Sequence, residues 1–187
     1  STGNSRGIIF FSTSSSGDGN DNNKIDSNNI SNSGGNRVVN GIYSLGSAGR
    51  DNSENLIRNN NIYDLWRVTA SCFFIQINSY STEWTISGNS FYETTNFVPT
   101  SNSTYNPIRI SNTSGVGFLI TDNYIGGQAP LCGGSAMNVS ASTNHLFQGI
   151  TLTVGTSAAS SIQNNTIRNI NYTASSTSIW IGIHITA

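Results

Sequence analysis

The segment Ile57-Arg58-Asn59-Asn60-Asn61-Ile62 decides the fold, because close variants of it recur along the chain. In each copy an asparagine stands three positions after an isoleucine, and an isoleucine or phenylalanine stands two positions further on. The other copies begin at Ile25, Ile86, Ile120 and Ile162. Repetition of this kind predicts a solenoid of stacked units.

A second series of isoleucines gives the length of the repeat. Its members are Ile8, Ile42, Ile75, Ile108, Ile150 and Ile183. Their separations are 34, 33, 33, 42 and 33 residues, and we attribute the long step to a loop insertion over residues 126–147. Apolar and polar residues alternate around them, as in Ile75-Gln76-Ile77, which predicts strands rather than the helices of TPR or ankyrin repeats.

These periods predict an all-β fold, a right-handed parallel β-helix of about five to six coils of roughly 33 residues each. Successive coils would stack ~4.8 Å apart along the axis. We find no amphipathic capping helix in the chain. Because a solenoid needs covered ends, we expect residues 1–187 to be a single β-helix segment of a longer polypeptide, stacked on further coils or other domains.

One asparagine of each repeat would form a column that runs through the stack. Asparagine tolerates left-handed backbone conformations at a bend between strands, and its amide can bond to the same amide one coil away. We therefore predict a structural asparagine ladder of Asn28, Asn60, Asn89, Asn123 and Asn165.

The Ile-x-x-Asn-x-Ile coils, from about Ile8 to Ile185, resemble the parallel β-helix repeats of the pectate-lyase-like superfamily. The resemblance is specific for the fold and unspecific for function, because that superfamily holds polysaccharide lyases and hydrolases, phage tailspikes and adhesins. It implies a secreted or cell-surface protein, which we expect to be bacterial. The basic Arg-x-Lys pattern of polygalacturonases cannot occur here, since Lys24 is the only lysine.

The composition excludes several classes of protein. Charged residues make up only 9% of the chain. Aromatic residues make up 10%, and a disordered chain would lack this aromatic content. The arginines are scattered singly, so no nucleic-acid partner is expected. No apolar run approaches the ~20 residues of a membrane span.

The best candidate for ligand binding is an outward column beside the second isoleucine series. We predict that it contains Ile9, Tyr43, Gln76, Arg109, Thr151 and His184. Aromatic, amide, guanidinium and imidazole groups on a flat sheet suit an extended glycan, although a plain solvated face is the alternative. The predicted insertion over residues 126–147 is the loop that we expect to carry specificity.

A competing hypothesis is a polysaccharide lyase or glycoside hydrolase. Asp64 and Glu93 occupy equivalent positions on consecutive coils, so their carboxylates would lie roughly 5 Å apart, as in a retaining glycosidase. Arg67 would be an attendant cation. Two solvated turn carboxylates are the alternative interpretation.

The remaining candidates concern covalent links and cofactors. Cys72 and Cys132 could form one disulfide, or they could be two buried thiols. No cofactor or metal is predicted, because the acidic segment Asp18–Lys24 lacks the glycine and glutamate of a calcium loop.

Overall fold

The structure, a computed structural model, describes residues 7–32, 37–174 and 177–186. It is a parallel β-solenoid of about five turns with a spacing of ~33 residues, as the repeat predicts. Its strands are β1 (Gly7–Phe11), β2 (Lys24–Asp26), β3 (Asn29–Ser31), β4 (Asn40–Ser44), β5 (Asn52–Ser53), β6 (Leu56–Arg58), β7 (Asn61–Tyr63), β8 (Cys72–Ile77), β9 (Ser81–Thr82), β10 (Thr85–Ser87), β11 (Ser90–Tyr92), β12 (Ser103–Asn112), β13 (Leu119–Thr121), β14 (Tyr124–Ile125), β15 (Met137–Ala141), β16 (His145–Val154), β17 (Ser161–Gln163), β18 (Thr166–Ile167), β19 (Ile170–Ala174) and β20 (Ile179–Thr186).

Three parallel sheets run along the solenoid. The first has the order β1-β4-β8-β12-β16-β20, the second β2-β6-β10-β13-β17 and the third β3-β7-β11-β14-β18. Two short pairs, β5–β9 and β15–β19, complete the coils. Within the described ranges the only helical element is a 3₁₀ turn at Pro130–Cys132, so the all-β prediction is confirmed.

The register corrects the first step of the predicted repeat. Ile42 pairs with Ile9, not with Ile8, so this step is 33 residues like the others. Ile8 points outward and is 44% exposed. Two consecutive isoleucines have the same hydrophobicity, so only the strand pairing shows which of them faces the interior.

The insertion is also shorter than predicted. The register offset is 42 residues between Ile125 and Ile167 but 33 between Met137 and Ile170, so the extra residues lie between Ile125 and Met137. The range 126–147 was too wide, because it contains the whole of β15 and the start of β16. Met137 and Val139 are buried, and they escaped prediction because this strand lacks the isoleucine pattern of the other coils.

Columns of stacked apolar side chains fill the interior. In the second sheet, Ile25, Ile57, Ile86, Ile120 and Ile162 follow one another in register. The three central members of this column are fully buried. Each buried isoleucine stabilises the fold by ~1.5–3 kcal/mol relative to an exposed one, so the interior accounts for much of the stability of the stack.

The predicted asparagine ladder is present. The Oδ1 atom of Asn89 accepts hydrogen bonds from the backbone N–H and the Nδ2 of Asn60, at 3.0 and 2.9 Å. Asn89 repeats the same pair of bonds one coil further on, donating to the Oδ1 of Asn123. Its Nδ2 also donates to the backbone oxygen of Ile57. The same pattern joins Asn28 to Asn60 and Asn123 to Asn165.

The left-handed residue of each bend precedes the ladder asparagine, which corrects the conformation that we predicted for the asparagines themselves. The positive φ angles belong to Ser27, Asn59, Gly88, Asp122 and Asn164. This placement turns the chain sharply just before the asparagine, so that its side chain enters the interior. The ladder therefore depends on hydrogen bonding rather than on asparagine's tolerance of positive φ.

A second, shorter ladder was missed. The Oδ1 of Asn55 accepts bonds from the backbone N–H and the Nδ2 of Asn23, at 2.9 and 3.1 Å. Asn52 does the same for Asn20. In the next coil Trp84 stands at the position equivalent to Asn55, and its indole N–H donates to the backbone oxygen of Asn52. This ladder was missed because no isoleucine stands three positions before Asn23 or Asn55, as one does before each asparagine of the first ladder.

Candidate functional site

The outward column lies on the first sheet, where the strand register fixes its members. They are Phe10, Tyr43, Gln76, Arg109, Thr151 and His184. Phe10 stands in the position that we predicted for Ile9, because the first strand is shifted by one residue from the predicted alignment. The other five residues occupy the predicted positions, one on each successive coil.

Phe10 at the start of the column is 38% exposed, but the next two members present little surface. Tyr43 is 4% and Gln76 7% exposed. The Tyr43 ring packs against Phe10 with 5.6 Å between ring centroids, and its hydroxyl accepts a bond from Asn78 at 3.0 Å. The Nε2 of Gln76 donates to the Oδ1 of Asn78 at 3.4 Å, so both predicted ligand contacts are engaged with neighbouring side chains.

Arg109 lies at the centre of the column, between two adjoining clefts of about 350 and 320 Å³. Its guanidinium carbon lies 5.0 Å from the centroid of the Phe73 ring, in a cation–π contact. Both residues line both clefts, so the two cavities form one groove across β8, β12, β16 and β20. We name this surface the Arg109 groove.

No acid faces Arg109 in the part of the chain that the structure describes. The structure shows no ion pair or side-chain hydrogen bond for its guanidinium, and its one described contact is with Phe73. Partial burial lowers the pKa of Arg109 from its ordinary value. Five N–H donors on a half-desolvated guanidinium suit a carboxylate or a cluster of hydroxyl groups on a ligand.

The far end of the Arg109 groove is polar. The Nε2 of Gln148 lies 2.9 Å from the Nδ1 of His184. A hydrogen bond between these two side chains holds both at the mouth of the cleft. Thr151, Thr153 and Thr186 line the same cleft. The Thr151 hydroxyl is itself buried, and the hydroxyls of Thr153 and Thr186 bond to each other. Gln148 and Phe73 were missed because neither belongs to the column that was aligned, although both belong to the same sheet.

The acidic pair occupies neighbouring positions as predicted, but it does not form a cleft. Asp64 has a φ of +55° and accepts bonds from the backbone N–H and the hydroxyl of Thr94, at 2.9 and 2.8 Å. Glu93 is fully buried inside the coil. The left-handed turn at Asp64 directs one carboxylate outward while the other points inward, so the two do not flank a common space.

Glu93 belongs to an interior polar cluster instead. Its Oε1 accepts a bond from the Tyr105 hydroxyl at 3.1 Å, and its Oε2 lies 3.6 Å from Nη1 of Arg37. The Arg37 guanidinium also stacks over the Trp66 ring at 4.7 Å. Burial and the nearby carboxylate of Asp64 hold the pKa of Glu93 well above its ordinary value of 4.5. The cation beside Glu93 is thus Arg37, and not Arg67 as predicted.

Of the two alternatives left open for the cysteines, the structure has the second: Cys72 and Cys132 are free, buried thiols. Cys72 is fully buried in β8, where it pairs in register with Tyr105. Cys132 lies in the insertion, with its Sγ 3.8 Å from the backbone oxygen of Thr166 in the last coil. The insertion folds toward the third sheet and the last coil, and therefore does not bring Cys132 to the first sheet.

Metal ligands and membrane spans were also sought. Across residues 7–32, 37–174 and 177–186, histidine, cysteine and acidic side chains form no group of three able to hold a metal ion. Over the same ranges no helix has the length and apolar character required to cross a bilayer.

Comparison with known proteins was made at three levels. No family model, curated protein or solved structure matches the chain. The candidate site therefore has to be interpreted from its own geometry.

Proposed function

We propose that this chain is a non-catalytic, glycan-contacting segment of a secreted or cell-surface β-helix protein, and that the Arg109 groove is its contact surface. The observation that carries the proposal is the half-buried guanidinium of Arg109, which stacks on Phe73 and has no acidic partner among the described residues. A cation held in this way has donors available for a ligand.

The chemistry of the groove suits sugars better than apolar ligands. The Phe73 ring supplies an aromatic surface, and Arg109, Gln148 and His184 supply hydrogen-bonding groups. These groups stand on successive coils, ~4.8 Å apart. Their regular spacing matches an extended polymer that repeats its own polar groups along its length.

The surroundings of Asp64 and Glu93 support a structural role rather than a catalytic one. Glu93 is sealed inside the coil, and Asp64 is already bonded to Thr94. Neither residue lines the Arg109 groove. Glycosidases need two carboxyl groups flanking the scissile bond, and the described residues offer no such pair on this surface.

The finer identity is part of the same proposal. The Ile-x-x-Asn-x-Ile coils and their ladder support a relationship to the pectate-lyase-like β-helices, and hence a bacterial, extracellular protein. Further β-coils are its proposed structural partners. Low charge and a surface rich in serine and asparagine are compatible with a role in contact with polysaccharide.

The test is binding of the chain to a panel of immobilised acidic and neutral polysaccharides, followed by assay of the soluble fraction for new reducing ends or unsaturated products. We expect retention on at least one polysaccharide with no product. Replacing Arg109 with glutamine should weaken that retention at least about tenfold, a loss typical of a charge-assisted contact.

Arg50→Gln is the matched control, because it removes the same charge from a turn outside the groove. It should bind like the unaltered chain. Equal weakening by both variants would show a nonspecific charge effect, and product formation would show an enzyme; either result would overturn the proposal. Absence of binding to every polysaccharide would do the same.

A further inference from the structure

The last coil of the solenoid exposes an apolar face that the other coils bury. Ile183 and Ile185 stand in register with Ile150 and Leu152, yet they are 46% and 66% exposed, whereas their partners are buried. Trp180 is 46% exposed and stands in register with the fully buried Phe147. The strands β17, β18 and β20 are the outermost strands of their sheets on this side. We call this surface the C-terminal face.

The opposite end of the solenoid is different. Phe11, Ile25 and Ile30, the interior residues of the first coil, are buried. Among the described residues, Ile9 of the first coil is partly buried, whereas Trp180, Ile183 and Ile185 of the last coil are exposed, so the C-terminal face is the more open end of the stack.

The hydrogen bonds of the asparagine ladder run in one direction along the stack and end at the C-terminal face. Each earlier ladder asparagine donates its backbone N–H and its Nδ2 to the Oδ1 atom of the asparagine in the next coil. Asn165 is the last member, and its Nδ2 bonds to the backbone oxygens of Ile120 and Gln163. Within the described residues its backbone N–H meets no next Oδ1. The face thus presents a donor where the next coil would supply an acceptor.

An aromatic column ends on the same face. Tyr105, Phe147 and Trp180 stack nearly parallel, with ring centroids 5.4 and 5.8 Å apart and interplanar angles of 12° and 2°. Beside Trp180 lies a cleft of about 480 Å³ lined by Ile167, Ile170 and Tyr172. The shape and chemistry of this face repeat those of the interfaces between the coils of this chain.

We propose that the C-terminal face is a docking surface for one further parallel β-coil, which places an asparagine Oδ1 at the Asn165 N–H and apolar side chains over Trp180, Ile183 and Ile185. Such a coil continues the interface that already joins β12 to β16 and β16 to β20. It satisfies the exposed strand edges as well as the apolar residues.

Other occupants fit less well. A second copy docked by its first coil would meet an end whose interior residues are already covered, and a second copy docked by its own C-terminal face would set donor against donor at Asn165. A helix would cover the apolar residues but leave the strand edges unpaired. A lipid surface would bury those unpaired backbone groups without partners.

The experiment supplies one further coil to the C-terminal face. A duplicate of residues 155–187 is fused directly after Ala187, which keeps the 33-residue register of the last step. The duplicated tryptophan is replaced by phenylalanine, so the fused and the unextended chains both contain Trp66, Trp84 and Trp180 and no other tryptophan. The unextended chain is the reference for the emission spectrum. We expect Trp180 emission to shift to shorter wavelength, the duplicate to resist proteolysis, and the melting temperature to rise by at least about 4 °C.

The control fusion carries alanine in place of the duplicated ladder asparagine, and it should give a smaller rise in melting temperature. An extension that is digested rapidly, with Trp180 emission unchanged, would overturn the proposal. Concentration-dependent dimerisation of the unextended chain with burial of Trp180 would assign the face to a second copy instead. Binding of the unextended chain to neutral phosphatidylcholine vesicles, with the same shift of Trp180 emission, would assign it to a lipid surface.

Discussion

At the scale of single residues, the asparagine ladder shows how a polar side chain can be buried throughout a solenoid. Asn89 accepts two hydrogen bonds at its Oδ1 atom and donates two from its Nδ2, so every polar atom of the amide has a partner. An unpaired buried polar group costs ~1–3 kcal/mol. The ladder stabilises the stack because its members satisfy one another.

Replacing Asn89 with alanine should therefore be severely destabilising. The change removes the acceptor of the backbone N–H of Asn60, and it removes one bond each from the Nδ2 of Asn60 and the backbone oxygen of Ile57 in the interior. We expect the free energy of unfolding to fall by at least about 3 kcal/mol, measured by urea denaturation. Asn61→Ala, which removes an exposed bond to Asn29, should change it by less than about 0.5 kcal/mol. Similar losses in the two variants would contradict the role given to the ladder.

Glu93 predicts a pH effect of defined sign. Its pKa is raised in the folded state, so the folded chain holds this proton more tightly than the unfolded chain does. The stability contributed by protonated Glu93 is fully present below pH 4.5 and is lost as pH rises through the folded-state pKa. Unfolding free energy of the wild type should therefore fall relative to Glu93→Gln as pH increases.

The measurement is urea denaturation of both proteins over a range of pH. Taking the difference between them cancels other titrating groups, such as His145, whose pKa burial lowers to about 4. A difference that is constant with pH, or that grows in favour of the wild type, would show that Glu93 is ionised and well paired with Arg37 in the folded chain.

At the scale of elements, the sequence predicted what repeats and failed where the repeat changes. Isoleucine spacing identified the strands of all three sheets, since a column of identical side chains demands a constant period. Strand β15 was missed because its buried residues, Met137 and Val139, do not belong to the isoleucine series. The site was predicted in part: register placed Arg109 and His184, but the left-handed conformation of Asp64 and the burial of Glu93 could not be seen in the alignment.

The insertion should be removable as a unit. Deleting residues 127–135 joins Gly126 to Ala136 and leaves two residues between Ile125 and Met137, as between Ile167 and Ile170 in the next coil. The deletion removes the carbonyls of Cys132, Gly134 and Ser135, to which Asn169 donates. We expect an unchanged β-type circular dichroism spectrum and a loss of about 1–3 kcal/mol in unfolding free energy.

A deletion of equal length over residues 137–145 is the matched control, because it removes β15 and the first residue of β16. That variant should not fold. If instead both deletions abolish folding, the insertion is an integral part of the coil. Polysaccharide binding should persist in the 127–135 deletion, since these residues lie outside the Arg109 groove.

At the scale of the whole molecule, the stability of the solenoid comes from apolar columns and hydrogen bonds rather than from charge. The chain has 8 basic and 9 acidic residues in 187. Among the described residues two contacts join a basic to an acidic side chain, Arg58–Asp26 at 2.7 Å and Arg37–Glu93 at 3.6 Å. The first is exposed to solvent, where such pairs contribute little.

Added salt should consequently have a small effect on stability. Screening acts on exposed pairs and much less on buried ones. We expect the free energy of unfolding to change by less than about 1 kcal/mol between low and high sodium chloride, by urea denaturation at fixed pH. A larger change would mean that electrostatic interactions beyond these two pairs hold the coils together.

The most direct test of the function is to map where a glycan binds. Oligosaccharides prepared from a polysaccharide that retains the chain would be titrated while backbone amide NMR signals are followed. The Arg109 groove predicts that the largest shifts fall on Phe73, Arg109 and Thr151 of the first sheet, and that they disappear in Arg109→Gln. Shifts centred on Asp64 and Glu93, or on the insertion, would contradict a glycan-binding groove at Arg109.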